Sequence, residues 1–283
     1  MNHSPTGSSP MFIPEIESPL FTRFFYRYVL TLYRRRFRAV WLDDREMPRT
    51  LRSTLYIGNH NSWWDALNPL LLNERVIGKR ARAMMDEEQL LRYPFFRRLG
   101  VFSINRQHSR KSLASMEHAV RLLNGTGLEK RPVGLWFYPE GKLVRPETPI
   151  AAENGITWLA RKLDPDRTEI VPFATHIHSM RGDKPELFVR MGAVLDPRMF
   201  DRKSGPARDQ SQARHIAGII EQLRESVRRD SAGFSGSRNV TEDSNAAEET
   251  TALAEETNAI KDRNPMDDRY AINGFRLLLG RPY

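Results

Sequence analysis

Short apolar runs alternate with amphipathic stretches along most of the chain. The runs predict buried strands at residues 54–58, 100–104, 133–138, 169–174 and 187–195, with a further strand and loop over 76–85. Apolar positions three and four residues apart predict helices at 20–41, 66–72, 87–99, 109–123, 150–163 and 208–229. This alternation predicts an α/β fold, a single domain whose mostly parallel or mixed sheet is flanked by helices.

Changes in composition divide the chain into five parts. Residues 1–19 carry four prolines among small polar residues and predict an irregular lead-in, and the helix at 20–41 follows. Residues 42–230 form the main domain. Residues 231–264 are rich in Ser, Thr, Asn, Ala and Glu and predict a disordered, weakly acidic linker. Residues 265–283 regain large apolar side chains and form a short C-terminal apolar segment of undecided role.

The helix at 20–41 combines eight aromatic residues and six arginines with no acidic residue. Aromatic rings beside guanidinium groups suit the headgroup region of a membrane, so we interpret it as an amphipathic membrane-interface helix. An ordinary helix packed on the domain with solvated arginines is the simpler alternative. A nucleic-acid surface ranks last, because no known nucleic-acid motif accompanies it.

The composition limits the kinds of active site and partner that the chain can have. The absence of cysteine excludes thiol nucleophiles, disulfides and thiolate metal sites. Residues 1–230 hold 38 Lys and Arg against 26 Asp and Glu, which favours an anionic partner: nucleic acid, an acidic membrane face or a phosphorylated substrate. No apolar run reaches the roughly 18 residues of a membrane span, and the start of the chain lacks a secretory signal. We therefore expect peripheral or interfacial binding at the cytoplasmic face of a membrane.

The stretch after the strand at 54–58 places a histidine and a carboxylate five residues apart, at His60 and Asp65. Neutral imidazole accepts a proton near pH 7, and a carboxylate can fix its tautomer. Five residues exceed one helical turn, so the pair meets best if His60 precedes the helix and Asp65 lies in its first turns. The alternative to a catalytic role is a structural one, in which Asn59 and Ser62 cap a helix and Asp65 lies at its start.

Two more chemically useful residues follow predicted strands. Arg106 comes after the strand at 100–104, and Glu140 comes after the strand at 133–138. Active groups of parallel sheets gather at the carboxyl ends of their strands. We therefore expect His60, Arg106 and Glu140 to converge on one edge of the sheet.

Four sequence blocks resemble, in order, the motifs of the glycerolipid acyltransferases, the family of 1-acylglycerol-3-phosphate acyltransferase. The first is Asn59-His60-x-Ser62-x-x-Asp65, an NHxxxxD motif. The others are Gly100-Val101-Phe102-Ser103-Ile104-Asn105-Arg106, Phe137-Tyr138-Pro139-Glu140-Gly141 and Ile170-Val171-Pro172-Phe173. A single NHxxxxD is a weak signal, whereas four blocks in order are specific. The resemblance covers residues 50–195 and makes 42–230 an acyltransferase domain.

The resemblance implies transfer of a fatty acyl group from acyl-CoA or acyl carrier protein to a lipid hydroxyl. It implies that His60 is the general base and that Asp65 orients it. The implied acceptor-binding residues are Arg106, Glu140, Gly141 and Lys142. The implied supporting residues are Asn59, Ser62 and Asn105. It further implies no metal and no bound cofactor, with membrane lipids, an anionic bilayer surface and the acyl donor as partners, and no nucleic acid.

Two departures from the family pattern concern the acceptor. Asn105 stands where the second motif usually has Asp, and Lys142-Leu143 stands where the third usually has Thr-Arg. A lysophospholipid such as 1-acylglycerol-3-phosphate is the expected acceptor, with a glycolipid or carotenoid glycoside as alternatives. A catalytically weak lipid-binding relative is a further hypothesis. A metal-dependent hydrolase is the last, and its ligands would be His60, Asp65, His176 and His178.

Overall fold

Eight strands form one sheet in the computed structural model, which describes residues 11–125, 132–179, 182–200, 205–231, 234 and 237–242. The strands run in the order β4-β3-β5-β2-β6-β7-β1-β8 across the sheet. Their bounds are β1 Ala39–Asp43, β2 Ser53–Gly58, β3 Arg80–Asp86, β4 Val101–Ile104, β5 Val133–Phe137, β6 Thr168–His178, β7 Glu186–Met191 and β8 Arg238–Asn239.

Helices cover both faces of this sheet. Their bounds are α1 Pro19–Arg36, α2 Asn68–Leu72, α3 Glu87–Arg92, α4 Ser109–Leu123, α5 Gly155–Lys162 and α6 Pro206–Asp230. Short 3₁₀ turns at Trp63–Ala66, Pro94–Leu99 and Pro197–Met199 and one π turn at Asn73–Ile77 join them. The predicted α/β fold with a mixed sheet and flanking helices is confirmed.

Five neighbouring strands are parallel: β4, β3, β5, β2 and β6. β7 then pairs antiparallel to β6, β1 runs parallel to β7, and β8 closes the edge antiparallel to β1. Because β4, β5, β2 and β6 point the same way, the residues that follow them lie along one rim, which we call the carboxyl edge.

Two apolar layers sandwich the sheet. On one face α1 buries Phe25, Val29, Leu30 and Tyr33 in a cluster with Tyr56, Trp136 and Phe173 of the central strands. On the other face α4, α5 and α6 pack against Leu55, Ile57 and Leu135. Alternate residues of each strand serve the two layers, which explains why the central strands are apolar throughout.

Several predicted boundaries were wrong. The helix at 20–41 ends at Arg36, and Ala39–Asp43 is a strand that pairs with β7. The helix predicted at 66–72 begins at Asn68, which places Pro69 in its first turn, where the missing N–H costs nothing. Residues 150–154 precede α5 rather than belonging to it. Strand β6 continues to His178, four residues beyond its predicted end.

The domain also extends beyond both predicted limits. Helix α1 is part of the packed core. The alternative of an ordinary helix packed on the domain therefore describes its buried face. The predicted linker does not begin at residue 231, because Arg238–Asn239 forms β8 and Val240 is buried. The rest of the predicted linker, the C-terminal apolar segment and residues 1–10 lie outside the described residues.

Residues 11–18 are irregular, as expected of a proline-rich lead-in, yet they are tied to the domain. The Ile13 amide donates to Ser103 Oγ at 2.7 Å, and the Ser103 amide returns a bond to the Ile13 carbonyl at 2.9 Å. Glu15 and Glu17 pair with the buried Arg82 of β3. The lead-in therefore covers the β3–β4 end of the sheet.

Candidate active site

The catalytic candidate His60 lies at the carboxyl edge, two residues after β2. Gly58 stays in the strand, and a Cβ there would lie 2.4 Å from the Phe173 ring. Asn59 then binds β6, because its Oδ1 accepts from the Thr175 amide at 2.8 Å and its Nδ2 donates to the Thr175 carbonyl at 3.0 Å. Asn59 thus fixes the strand end rather than capping a helix.

Asp65 lies in the 3₁₀ turn that follows and is 1% exposed. Its Oδ2 accepts from the Asn61 amide at 2.9 Å and the Ser62 amide at 2.8 Å. Its Oδ1 accepts from Asn68 Nδ2 at 3.1 Å and from Thr175 Oγ1 at 3.2 Å. These bonds satisfy a carboxylate that would otherwise be costly to bury.

His60 and Asp65 meet as the spacing required. His60 Nδ1 lies 3.2 Å from Asp65 Oδ2, with the imidazole 20% exposed. The Tyr138 ring stacks on the imidazole at 4.5 Å between centroids, and Tyr138 Oη donates to the Asp65 carbonyl at 2.5 Å. With Nδ1–H directed at the carboxylate, Nε2 is the nitrogen left to accept a proton. Ser62 Oγ also caps the turn by accepting from the Trp64 amide at 3.2 Å, so the structural and catalytic interpretations of this stretch coexist.

Glu140 follows β5, the neighbour of β2, and contacts the same turn. Its Oε2 accepts from the His60 amide at 2.7 Å. Its Oε1 is buried with no hydrogen-bond partner among the described residues. Burial raises the pKa of this carboxyl group, while the bond from the His60 amide and the charges of His60 and Arg224 act in the opposite direction.

Arg106 reaches the Glu140–Gly141 turn from the end of β4. A Cβ at Gly141 would lie 2.5 Å from Arg106 Nη1, and Gly141 has a φ of +64°. The positive φ calls for glycine, since L-residues avoid this conformation, and a Cβ there would also displace the Arg106 guanidinium from the turn. Arg106 is exposed, and no ion pair to it is formed within the described residues. The predicted convergence of His60, Arg106 and Glu140 is therefore what the structure shows.

Asn105 has a structural role beside Arg106. Its Nδ2 donates to Glu87 Oε2 at 3.0 Å, and its Oδ1 accepts from the amides of Gln107 and His108 at 3.1 and 3.2 Å. An aspartate could accept those two bonds but could not donate to Glu87, which it would repel. The presence of asparagine rather than aspartate at position 105 is thus explained by the neighbouring Glu87 of α3.

Lys142 begins an exposed loop that runs beside the catalytic turn. The Val144 amide donates to the His60 carbonyl at 2.9 Å, and Asn61 Nδ2 donates to the Val144 carbonyl at 3.2 Å. These bonds hold the loop next to His60, with Lys142 and Arg145 exposed on it. A cationic group is thereby kept near the site despite the altered third motif.

Sequence reasoning missed four residues that support the pair. Thr175 and Asn68 bind Asp65 directly, and Tyr138 stacks on His60. Tyr33 of α1 donates to Asn68 Oδ1 at 2.6 Å. Only Tyr138 carried a signal, since it lies within the third block. Asn68 lies three residues after Asp65 without a motif to mark it, and Thr175 and Tyr33 come from distant segments that the fold alone brings together.

The metal-dependent alternative is not supported by the geometry. Thr175 faces Asp65, so His176 lies on the opposite face of β6, where the charges of Arg224 and Arg228 of α6 reach it. The His176 and His178 rings stack at 5.6 Å, and burial lowers the pKa of His176 to about 4. Within the described part of the chain, no three or more His, Cys, Asp or Glu side chains are grouped to hold a metal ion.

One observation bears on the prediction that no segment of the chain spans a membrane. Among the helices in the described ranges, none combines the length and the apolar character that crossing a bilayer needs.

Comparisons with known proteins bear on the family. Residues 41–176 match the family model named Acyltransferase, which spans β1 to β6 and all the residues from His60 to Thr175 described above. No curated protein sequence gives a significant match. Among solved structures, the 1-acyl-sn-glycerophosphate (LPA) acyltransferase PlsC from Thermotoga maritima aligns with 14% identity and a TM-score of 0.47, over 73% of this chain and 81% of that one. The family match lies over the four ordered blocks, so residues 41–176 form a domain of the acyltransferase family, as the resemblance to glycerolipid acyltransferases indicated.

Proposed function

We propose that this acyltransferase moves a fatty acyl group from the thioester of acyl-CoA or acyl carrier protein to the hydroxyl of a lysophospholipid such as 1-acylglycerol-3-phosphate. The observation that carries the proposal is the 3.2 Å contact between His60 Nδ1 and the buried Asp65 carboxylate at the carboxyl edge. It leaves Nε2 of a partly exposed imidazole to receive the proton of an alcohol.

The proposed step needs no nucleophile from the protein. His60 Nε2 takes the proton of the acceptor hydroxyl while that oxygen attacks the thioester carbon, and Asp65 stabilises the imidazolium that forms. The tetrahedral intermediate then collapses with cleavage of the C–S bond. The leaving thiolate takes the proton back from His60, so the products are a lipid ester and a free thiol, and the enzyme is regenerated.

The oxyanion of that intermediate needs a donor. The amides at the start of the 3₁₀ turn are the nearest candidates, but Ser62 N–H is directed at Asp65 at 2.8 Å. Trp63 is the first residue of the 3₁₀ turn, so its N–H has no acceptor within the turn. We assign the oxyanion contact to the Trp63 amide.

Exposed cations around the site support an acceptor that carries phosphate. Arg106, Lys142 and Arg145 are all exposed near the catalytic turn, the first against Gly141 and the other two on the loop bonded to His60. A guanidinium grips phosphate oxygens in a fork, and lysine adds a point charge. A neutral glycolipid or a carotenoid glycoside would leave these charges without a counterpart.

Exposed apolar side chains support a lipid surface as the place of reaction. Trp63 is 39% exposed and stacks at 4.1 Å on Trp64, which is a core residue packed against Tyr33 and Phe37. Leu143 is 48% exposed on the loop beside His60. On α1, Leu20 and Phe24 are about 60% exposed next to Arg23. We place these groups at the headgroup region of an anionic membrane, on its cytoplasmic face.

Transfer of a labelled acyl group tests the proposal. The wild-type protein is supplied with acyl-CoA or acyl carrier protein as donor, and with lysophosphatidic acid or a glycolipid as acceptor. We expect ester formation with lysophosphatidic acid and a loss on the order of a hundredfold or more in His60→Ala. His108→Ala, an exposed histidine at the start of α4, is the matched control.

Equal turnover by His60→Ala and the wild type would contradict the catalytic role of His60, and turnover by neither protein would leave a lipid-binding relative as the better description. Transfer to the glycolipid in preference to lysophosphatidic acid would overturn the acceptor assignment alone.

A further inference from the structure

The loop of residues 141–150, which we call the acceptor loop, is bonded on one side to the catalytic turn. The Val144 amide donates to the His60 carbonyl at 2.9 Å. Asn61 Nδ2 donates to the Val144 carbonyl at 3.2 Å and to the Arg145 carbonyl at 3.4 Å. The first half of the loop, with Lys142 and Arg145, is thus fixed relative to His60.

The second half of the acceptor loop is bonded to α6. Arg224 Nη1 donates to the Thr148 carbonyl at 3.0 Å, and the Ile150 amide donates to Glu221 Oε2 at 3.0 Å. Arg224 Nη2 and Glu221 Oε1 lie 2.6 Å apart. One ion pair on a single helix turn therefore holds both a carbonyl and an amide of the loop.

Only the arginine of this pair is buried, since the Glu221 side chain is 31% exposed. The Arg224 side chain is 4% exposed, and its Nε has no hydrogen-bond partner among the described residues. Its charge also reaches the buried carboxyl group of Glu140. An ion pair with a buried arginine adds little net stability, because the desolvation of the guanidinium offsets the attraction, and its clearest gain is a fixed geometry. The geometry that it fixes is that of the acceptor loop.

Helix α6 lies outside the region that the family model matches, which ends at residue 176. We infer that Arg224 and Glu221 are positioning residues for acyl transfer. They hold the acceptor loop from the side opposite His60, so that Lys142, Arg145 and the Glu140–Gly141 turn meet the acceptor headgroup in one place. This inference rests on the proposed function, since the headgroup is that of the lysophospholipid acceptor.

Helix α6 supplies its own matched control. Glu225 and Arg228 form the same i, i+3 ion pair one turn further on, at 2.9 Å, but with side chains 48% and 42% exposed. The full-length variants Arg224→Met and Glu221→Gln are compared with Arg228→Met and Glu225→Gln. Arg224→Lys is added because lysine can replace one of the two bonds from the guanidinium but not both.

Two readouts are needed. Hydrogen–deuterium exchange of peptides covering 141–150 reports the loop directly, with peptides covering β2 and β5 as internal references. Steady-state kinetics with lysophosphatidic acid and acyl-CoA report its consequence. We expect faster exchange in the loop alone and a KM for lysophosphatidic acid raised about tenfold or more in Arg224→Met, since small misplacements of positioning groups cost this much. The KM for acyl-CoA should change less than about twofold.

Glu221→Gln and Arg224→Lys should lie between Arg224→Met and the wild type, and both control variants should match the wild type. If Arg224→Met leaves loop exchange and the KM for the acceptor unchanged, or if the α6 control pair gives the same changes, the inference is wrong. If the wild type transfers no acyl group, the proposed function fails, and the exchange data still decide whether the ion pair holds the loop. Unchanged exchange in β2 and β5 separates the expected effect from general unfolding.

Discussion

The amide of His60 donates to the carboxylate of Glu140 at 2.7 Å, across 80 residues of sequence. This bond joins the first and third sequence blocks, because β2 and β5 are parallel neighbours and both residues follow the ends of those strands. The backbone of His60, the proposed general base, is therefore held by a buried acid, while its side chain is held by Asp65 at 3.2 Å. Two carboxylates thus hold one histidine, Glu140 through its backbone and Asp65 through its ring.

The raised pKa of Glu140 predicts a pH dependence of stability. Burial is the largest cause, and it favours the protonated form in the native state. As pH rises above the ordinary value of 4.5, the unfolded chain releases this proton before the native protein does. This group's contribution to the free energy of unfolding is present at low pH and is lost as pH rises through its raised pKa.

Glu140→Gln should remove that dependence while retaining an acceptor for the His60 amide. We expect the free energy of unfolding of the wild type, relative to the variant, to fall as pH rises from about 4 to 7. Chemical denaturation of both proteins across this range measures the difference, in which the other titrating groups largely cancel. A difference that is constant with pH would contradict the prediction.

Asp65→Asn should impair catalysis by disordering His60. The amide can accept at one oxygen only, and its NH₂ would face either the amides of Asn61 and Ser62 or the donors Asn68 and Thr175. We expect kcat to fall on the order of a hundredfold or more.

Thr175→Ala, which removes one of the donors to Asp65, should lower kcat less than Asp65→Asn does. Single-turnover acyl transfer measures both effects, and circular dichroism checks the fold. An Asp65→Asn rate within a few-fold of the wild type would show that the imidazole does not depend on this carboxylate.

Tyr33→Phe should destabilise the protein and affect the active site at a distance. Tyr33 Oη donates to Asn68 Oδ1 at 2.6 Å, and Asn68 Nδ2 in turn donates to Asp65. Removing the hydroxyl leaves a buried amide oxygen without this donor, at a cost of about 1–3 kcal/mol. Thermal unfolding should show the loss, and kcat should fall modestly. Tyr28→Phe, on the same helix but only partly buried, is the control and should change neither quantity by a comparable amount.

His176 predicts sensitivity to acid. Its pKa is lowered from 6.5 to about 4, chiefly by burial, with His178 and Arg228 adding to the effect. Between these values the unfolded chain binds a proton that the native protein does not, so the free energy of unfolding falls as pH decreases from 6.5 towards 4. NMR titration should find the low pKa directly.

His176→Gln should flatten this part of the stability profile, whereas His215→Gln, at an exposed position of α6, should not. An ordinary titration of His176 near 6.5 would contradict the partly buried placement of its ring.

The exposed face of α1 should determine membrane affinity. Its buried face is part of the core, so deleting the helix would unfold the domain, and substitutions on the exposed face test the point without that complication. Leu20→Ser combined with Phe24→Ser should weaken sedimentation with anionic vesicles. Binding of the wild type should weaken as salt is raised. Leu51→Ser, at a residue 92% exposed in the loop before β2, is the control. Equal sedimentation of all three proteins would refute the interfacial role of α1.

The sequence predicted the site better than its surroundings. His60, Arg106 and Glu140 each follow an apolar run, and parallel strands with common direction bring such residues to one edge. The spacing of His60 and Asp65 correctly placed one before the helical turn and the other within it. These inferences depend on local patterns, which a single sequence contains.

Other features depend on partners far along the chain. Ala39–Asp43 follows a helix and looks like its continuation, but pairing with β7, in register from Ala39 with Glu186, makes it a strand. Arg238–Asn239 lies in a polar segment that predicts disorder, yet it pairs with β1. Local propensity is weak enough for such pairing to override it.

The amino-acid sequence alone was therefore enough to predict most strands and helices, the excess of positive charge and the His60–Asp65 pair as the candidate base and its carboxylate. The tertiary structure decided what holds them: Thr175, Asn68 and Tyr33 around Asp65, Glu140 beneath His60, and the Arg224–Glu221 pair on the acceptor loop. The reason is physical. Periodicity and spacing record which residues share a face of one element, whereas a buried hydrogen bond between elements depends on how distant segments pack.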